Sequence, residues 1–263
     1  MTLLPMCEPT KSERPMLPQG LLCLVLFLGM PLLSGCEDTD LRLATEAGID
    51  AVKAVALTDT AIQELAARST TQADSQYRIA PPESPQSKRM QALAQGLLQE
   101  GELRFDVKVY LADEVNAFAM ANGTIRFYSG LMDLLNDGEL RFVLGHEMGH
   151  VVKKHISKKM RLAYAASAVR KGIASQNNMA GEIARSQLGG FTELLMRAQF
   201  SQAEEREADD YGLSFLQRRG FDQKAAVSAL SKLATLGKGH SFLSSHPDPD
   251  KRAERLAQQL GGG

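Results

Sequence analysis

The chain has 263 residues, 44% of them hydrophobic and 23% charged, an ordinary globular composition that can bury one substantial core. Its formal net charge is -1, and Lys and Arg are scattered rather than gathered into a stripe, so no nucleic-acid partner is expected. Any other partner has to be argued from local chemistry.

The long apolar run, Leu21 to Leu33, is shorter than the roughly 20 residues of a transmembrane helix. It fits the apolar stretch of a signal peptide, with Lys11 and Arg14 ahead of it. The run ends in Leu33-Ser34-Gly35-Cys36, which resembles the bacterial lipobox. By that resemblance Cys36 becomes the first mature residue and carries two lipid chains on its sulfur, usually with a third on its amino group. Such acylation exceeds the two-signal threshold for stable anchoring, so the expected partner is a membrane on which the protein lies without spanning it. Glu37, not Asp, follows the cysteine, which favours the periplasmic face of the outer membrane. Cys7 and Cys23 fall inside the leader, so no intramolecular disulfide is left to the mature chain.

Leu43 to Ala67 reads as helix, broken near Thr58-Asp59-Thr60, where Thr60 and Gln63 make a capping-box pattern. Ser69 to Lys88 is polar, contains Pro81, Pro82 and Pro85, and reads as a loop or linker. Met90, Leu93, Ala94, Leu97 and Leu98 recur at helical spacing and predict an amphipathic helix. Phe105, Val107, Val109 and Leu111 alternate with Arg104, Asp106, Lys108 and Tyr110, the period of a half-buried strand. Val115–Ala121 and Thr124–Tyr128 flank Asn122-Gly123 and predict a hairpin closed by a tight I′ turn. Beyond Ser129 the pattern is helical almost to the end, with capping signals at Asn136 with Glu139, at Ser201 with Glu204, and at Asp222. Gly220, after Arg218 and Arg219, marks a helix C-terminus. Met160 to Phe200 is rich in Ala and Ser, but its charges, Arg161 to Glu193, exclude a buried membrane span. The expected fold is α+β and mostly helical, with a small antiparallel β-sheet beside the two site-bearing helices.

His146 and His150 stand four apart in His146-Glu147-Met148-Gly149-His150, so on a helix they project about 40° apart and can hold one ion. Glu147 lies beside them, placed to act as general base on a water in the ion's open position. Zinc suits such nitrogen and oxygen donors. Leu140, Val143, Leu144, Glu147, Val151 and Val152 form one stripe, and a carboxylate on a buried face needs a partner that a metal supplies. A third ligand is expected on the helix that Ser201 starts. There Glu205 and Asp209 share a face with Gly212 and Leu216, so Glu205 would ligate while Asp209 fixes the tautomer of a ligand histidine. His155, nine residues from His146 and about 180° round the helix, is expected to be exposed or capping. His240 has no readable context. His246 precedes Pro247-Asp248-Pro249, where Asp248 can cap a last helix and Pro249 begin it.

These motifs, with Asn116-Ala117-Phe118-Ala119, Tyr128-Ser129-Gly130-Leu131-Met132-Asp133, Phe200-Ser201-Gln202 and His246-Pro247, resemble the HtpX-like and CaaX-prenyl-protease-type metallopeptidases, a gluzincin family. The similarity is greatest to its lipoprotein branch and covers roughly Phe105 to Leu260. It implies one zinc ion per chain on His146, His150 and Glu205, with Glu147 as base and Asp209 in support. It also implies that Asn116, Ala117 and Phe118 pair with an extended substrate, and that His246 acts as a gate or an oxyanion donor near the metal. The activity implied is endoproteolysis of misfolded or unassembled envelope proteins, with envelope proteases or assembly factors as further partners. The implied division is a lipoprotein signal peptide over 1–35, an anchor with N-terminal helices and linker over 36–88, and a zinc metallopeptidase domain over 89–263. A reading from another class is a chaperone-like or assembly-scaffold lipoprotein whose zinc is structural or latent. Two departures matter: Gln202 stands where many members have Arg, and the hydrophobic spans of the integral-membrane branches are absent, so prenylated substrates are not expected.

Overall fold

The computed structural model describes residues 58–163, 199–237 and 241–262. The leader, Cys36, the helix expected from Leu43 to residue 57, most of the Ala- and Ser-rich segment, and His240 lie outside the described residues.

Thr58, not Thr60, opens the first helix: its hydroxyl accepts from the N–H of Ala61 at 3.2 Å, and α1 runs Asp59–Gln76. The stretch from Ser69 is therefore helix before it is loop. Ser69, Thr70 and Ala73 are buried, and Asp74 is tied to the sheet, a tertiary contact that outweighs the weak propensity of this polar sequence. Ser84 caps α2, Pro85–Ala94, whose first turn holds the proline. Met90, Leu93 and Ala94 are buried as the spacing predicts. The helix stops before Leu97 and Leu98, with Gly96 just beyond it at φ 72°.

A short antiparallel pair, β1 (Gln99–Glu100) and β2 (Leu103–Arg104), turns at Gly101. The main sheet has three strands, β3 (Asp106–Tyr110), β4 (Ala117–Ala119) and β5 (Thr124–Tyr128), in the order β3-β5-β4. β4 and β5 form the expected antiparallel hairpin, with Ala117 opposite Phe127. β3 adds in parallel on the other side of β5, Asp106 opposite Thr124, so the sheet is mixed. The hairpin turn is not I′. Gly123 N–H bonds the Met120 carbonyl at 3.0 Å and Met120 N–H bonds the Thr124 carbonyl at 2.8 Å, so the loop has three residues and Gly123 alone is left-handed, at φ 85°. Asn122 instead accepts from the Thr124 N–H through its side chain at 3.3 Å.

Every residue of β5 is buried, including Arg126. Its guanidinium forks onto Asp74 of α1 through Nε and Nη2, at 2.9 and 3.0 Å, while Nη1 meets the Asp106 carboxylate at 3.0 Å. Tyr110, which the alternation puts on the polar face, is fully buried: its ring stacks on Tyr77 at 4.9 Å and its hydroxyl donates to Asp74.

α3 (Ser129–Leu134) leads to α4 (Asp137–Val152), which starts with the predicted capping box: Glu139 N–H donates to Asn136 Oδ1 at 3.0 Å and Asn136 N–H to Glu139 Oε2 at 2.7 Å. α4 is buried on nearly every face, not along one stripe. α5 (Gln202–Arg218) has the capping box of Ser201 and Glu204 and ends ahead of Gly220 at φ 71°. α6 (Lys224–Ala234) follows Asp222, whose side chain accepts from the Lys224 N–H although Gln223 holds the cap position. After α7 (Ser241–Ser245), α8 (Pro249–Gly261) begins at the predicted proline. Asp248 precedes it in a left-handed conformation, and its carboxylate accepts from Gln202 at 3.2 Å instead of capping. None of the described helices is long and apolar enough to cross a membrane.

Candidate metal centre

Three glycines let α4 and α5 approach. A Cβ on Gly145 would lie 2.8 Å from the Phe215 ring, one on Gly149 3.0 Å from Tyr211 Cβ, and one on Gly212 3.0 Å from the Phe142 ring. With the backbones this close, Glu205 and Asp209, one turn apart on α5, face His146 and His150, one turn apart on α4. One donor atom from each of His146, His150, Glu205 and His246 lies within 4.8 Å of all the others, and all four residues are buried. His150 Nε2 is 3.0 Å from His146 Nε2 and 3.4 Å from Glu205 Oε1. His246 Nδ1 is 3.0 Å from Glu205 Oε1, and its Nε2 is 3.5 Å from Glu147 Oε1.

Hydrogen bonds on the far side of each ring fix what faces this centre. His146 Nδ1–H donates to Asp209 Oδ1 at 3.0 Å, leaving a lone pair on Nε2. The carboxylate of Glu207 can only accept, so His155 Nε2–H points to it at 3.3 Å, and His155 Nδ1 then accepts from His150 Nδ1–H at 3.1 Å. That leaves a lone pair on His150 Nε2 as well. In that tautomer set the two imidazole nitrogens, with His246 Nδ1 3.3 Å from His146 Nε2 and the Glu205 carboxylate beside them, form a cluster of donor atoms that a cation can bridge. A tetrahedral site with bonds of about 2.0–2.1 Å sets its nitrogens about 3.3 Å apart, close to the spacing here. Buried Glu147 Oε1 has no hydrogen-bond partner among the described residues, as a carboxylate waiting for a water would. The donor set fits a metal ion of zinc's preferences.

His155 corrects the expectation of an exposed histidine. α4 ends at Val152 and Lys154 takes φ 60°, so counting 100° per residue past Val152 misplaces the ring. It turns inward, is 6% exposed, and backs His150. Arg252 of α8 is the other residue that pattern reading missed. It donates to Asp209 through Nε and Nη2, at 2.9 and 2.7 Å, and its Nη1 contacts Glu205 Oε2. The spacing of Arg252, Ala253 and Leu256 on the buried face of α8 carried the signal.

Burial alone would push both carboxyls of α5 up. The Arg252 charge overturns that, holding Asp209 at about 2 and Glu205 well below the carboxylate range, so both stay ionised. Burial drives His150 well below its ordinary value despite Glu205, so it stays neutral and able to ligate.

A narrow cavity of about 30 Å³ opens beside Glu147. It is walled by Asn116, Ala117, Phe118, Ala119 and Met120 on one side and by Lys159, Phe200 and His246 on the other, so the strand expected beside the site is there. A larger cavity, about 670 Å³ between α2 and β3, holds none of the cluster.

A histidine pair that can hold an ion, a buried acid beside it, and a strand lining the same cavity suit a chain to hydrolyse amide bonds, as a metalloendopeptidase does. The chain belongs to peptidase family M48, whose family model matches residues 84–260. It is similar to Metalloprotease LoiP of Escherichia coli (strain K12), 39% identical over 87% of this chain and 92% of that protein. Metalloprotease YcaL of the same strain is 36% identical over 92% of this chain and 98% of its own length. The Beta-barrel assembly-enhancing protease of Yersinia pestis is 32% identical over 56% of this chain and 33% of that protein.

Proposed function

We propose that the protein is a zinc-dependent endopeptidase anchored to the bacterial envelope, cleaving misfolded or unassembled envelope proteins. One zinc ion per chain is held by His146, His150 and Glu205, with Glu147 as general base. The observation that carries this is the buried cluster of His146, His150, Glu205 and His246 donor atoms, with the buried Glu147 carboxylate beside it.

Bound zinc supplies Lewis-acid activation of water and of the scissile carbonyl. The substrate lies extended along Asn116, Ala117 and Phe118; among the described residues β4 is an edge of its sheet, the position at which a strand can be added. Glu147 takes the proton of the attacking water and returns it to the leaving amine. Asp209 keeps His146 in the ligating tautomer, and Arg252 keeps Asp209 and Glu205 charged. Phe200, stacked on His150 at 3.8 Å, shields the centre from bulk water.

In this reading residues 1–35 are a lipoprotein signal peptide, Cys36 carries the lipid anchor on the periplasmic face of the outer membrane, 36–88 form the anchor and linker, and 89–263 the peptidase domain. Unfolded protein is the main partner, with envelope assembly factors second; the printed name of the Yersinia pestis relative supports an assembly context. The test is incubation of the purified mature protein with an unfolded protein, with and without a chelator. Cleavage that the chelator abolishes and zinc restores is the expected result; no cleavage under any condition overturns the reading.

A second reading draws on the presence of His246 in the cluster. As a fourth ligand it would close the centre, leaving a latent peptidase or a scaffold with structural zinc. His246→Ala separates the roles in the same assay: activity rises if the imidazole inhibits, and falls by about 10²-fold or more if it donates to the oxyanion.

A further inference from the structure

Glu147 is not alone in its cavity. The helical stretch 155–163 that follows α4 carries Lys159, which lines the same space. Its ammonium sits 4.0 Å from the centroid of the Phe200 ring, the ring that stacks on His150. Neighbouring lysines have carboxylate partners: Lys158 meets Glu204 at 2.7 Å and Lys154 meets Asp59 at 2.8 Å. Lys159 has no ion pair among the described residues. Burial lowers its pKa to about 8, against the opposing pull of Glu147 and Glu205, so it is still mainly charged at neutral pH.

A half-buried ammonium without a carboxylate partner is costly, and a ring face returns only part of that cost. Among the described residues, the cavity offers no anion besides Glu147 to the lysine. Of the other lining residues, Asn116, Phe118, Ile156 and Ser245 are neutral, His246 is an imidazole that supplies no negative charge, and Glu147 is, in the proposed function, engaged with the attacking water. Side chains of a strand laid along β4 point alternately toward and away from the cavity. One substrate side chain beside the scissile bond therefore meets Lys159.

We propose that Lys159 is a specificity-determining residue that receives a carboxylate of the peptide substrate. The enzyme then favours bonds flanked by Asp or Glu, or bonds close to a free C-terminus. This rests on the reading of the cavity as the peptide site with Glu147 as base. The charge-assisted hydrogen bond, absent with a neutral isostere, gives the selection.

The test uses quenched fluorescent peptides that differ only in carrying Glu, Gln or Lys at each position flanking the scissile bond. A parallel set places the bond near a C-terminus that is either free or amidated. Wild type should prefer Glu over Gln, or free over amidated, by about tenfold or more in kcat/KM; which set shows the preference identifies the source of the carboxylate. Lys159→Met should bring the ratio near one, Lys159→Arg should keep it, and Lys159→Glu should turn the preference toward Lys. Because each ratio is taken within one protein, a general loss of activity does not move it. Fluorescence anisotropy of the same peptides on chelator-treated protein reads the preference without turnover. A wild-type ratio near one in both measurements, or a ratio unchanged in Lys159→Met, overturns the proposal. Carboxylate-selective binding by a wild type that cleaves no peptide would support Lys159 and overturn the endopeptidase reading.

Discussion

Two networks of buried charge lie in this fold, one around Arg126 and one around His146. In the first, the guanidinium forks onto Asp74, its remaining arm meets Asp106, and the Tyr110 hydroxyl donates to the same Asp74. None of these side chains has a buried polar atom without a partner. In the second, Arg252 neutralises Asp209 and Glu205 just as firmly, yet among the described residues Glu147 Oε1 makes no hydrogen bond, only a 3.5 Å approach to His246, and two imidazole nitrogens face each other at 3.0 Å. A closed network holds elements together, here α1 against the sheet. An open one is completed by something from outside. The contrast separates structural charge from chemical charge without reference to any motif.

The largest expected effect breaks the open network at its two acids in different ways. Glu147→Gln should keep zinc bound at close to one ion per chain while lowering cleavage by about 10²–10⁴-fold, the worth of a general base. Glu205→Ala should lose both metal and cleavage, read by metal analysis alongside the protease assay. Equal metal loss in the two variants would remove the distinction between base and ligand.

Breaking the closed network should cost stability and leave the chemistry alone. Arg126→Met leaves the partly exposed Asp74 without its partner and should destabilise the fold by about 1–3 kcal/mol in urea denaturation. Replacing Arg126 and Asp74 together with apolar residues should recover much of that loss. A single variant that unfolds at the wild-type midpoint would show that α1 does not depend on the pair.

The smallest effect sharpens the boundary between the two kinds of network. His155→Phe keeps the volume but removes the acceptor for His150 Nδ1–H, and should weaken zinc binding by about 10–100-fold in competition with a chromophoric chelator. Unchanged affinity would place His155 with the structural charges.

Legibility in the sequence tracked how local each cause is. The capping boxes at Asn136 and Ser201, the helix end at Gly220 and the histidine pair all depend on residues within one or two turns, and all were readable. Glu205 and Asp209 were readable because their spacing repeats the helical period toward Gly212 and Leu216. The polar end of α1 was not: Ser69 to Gln76 looks like loop until Arg126, 52 residues from Asp74, supplies the partner that makes it helix. His155 was misplaced because the helix ends at Lys153 and Lys154, where no glycine or proline marks the stop. Asn122-Gly123 marks the hairpin but not its turn type, since Asn-Gly also fits a loop of three residues once Met120 pairs with Thr124.

Arg252 also has a bearing on when the centre comes into being. The two carboxylates it neutralises precede it on the chain, Asp209 by 43 residues, and His246 joins Glu205 from 41 residues away. α4 and α5 therefore precede in the chain the arginine that keeps their acids charged when buried. Without it Glu205 and Asp209 stay in water or take up protons, and the ligand face of α5 has no reason to seat against His146. The charge balance of the centre thus depends on α8, the last helix of the described chain, being docked.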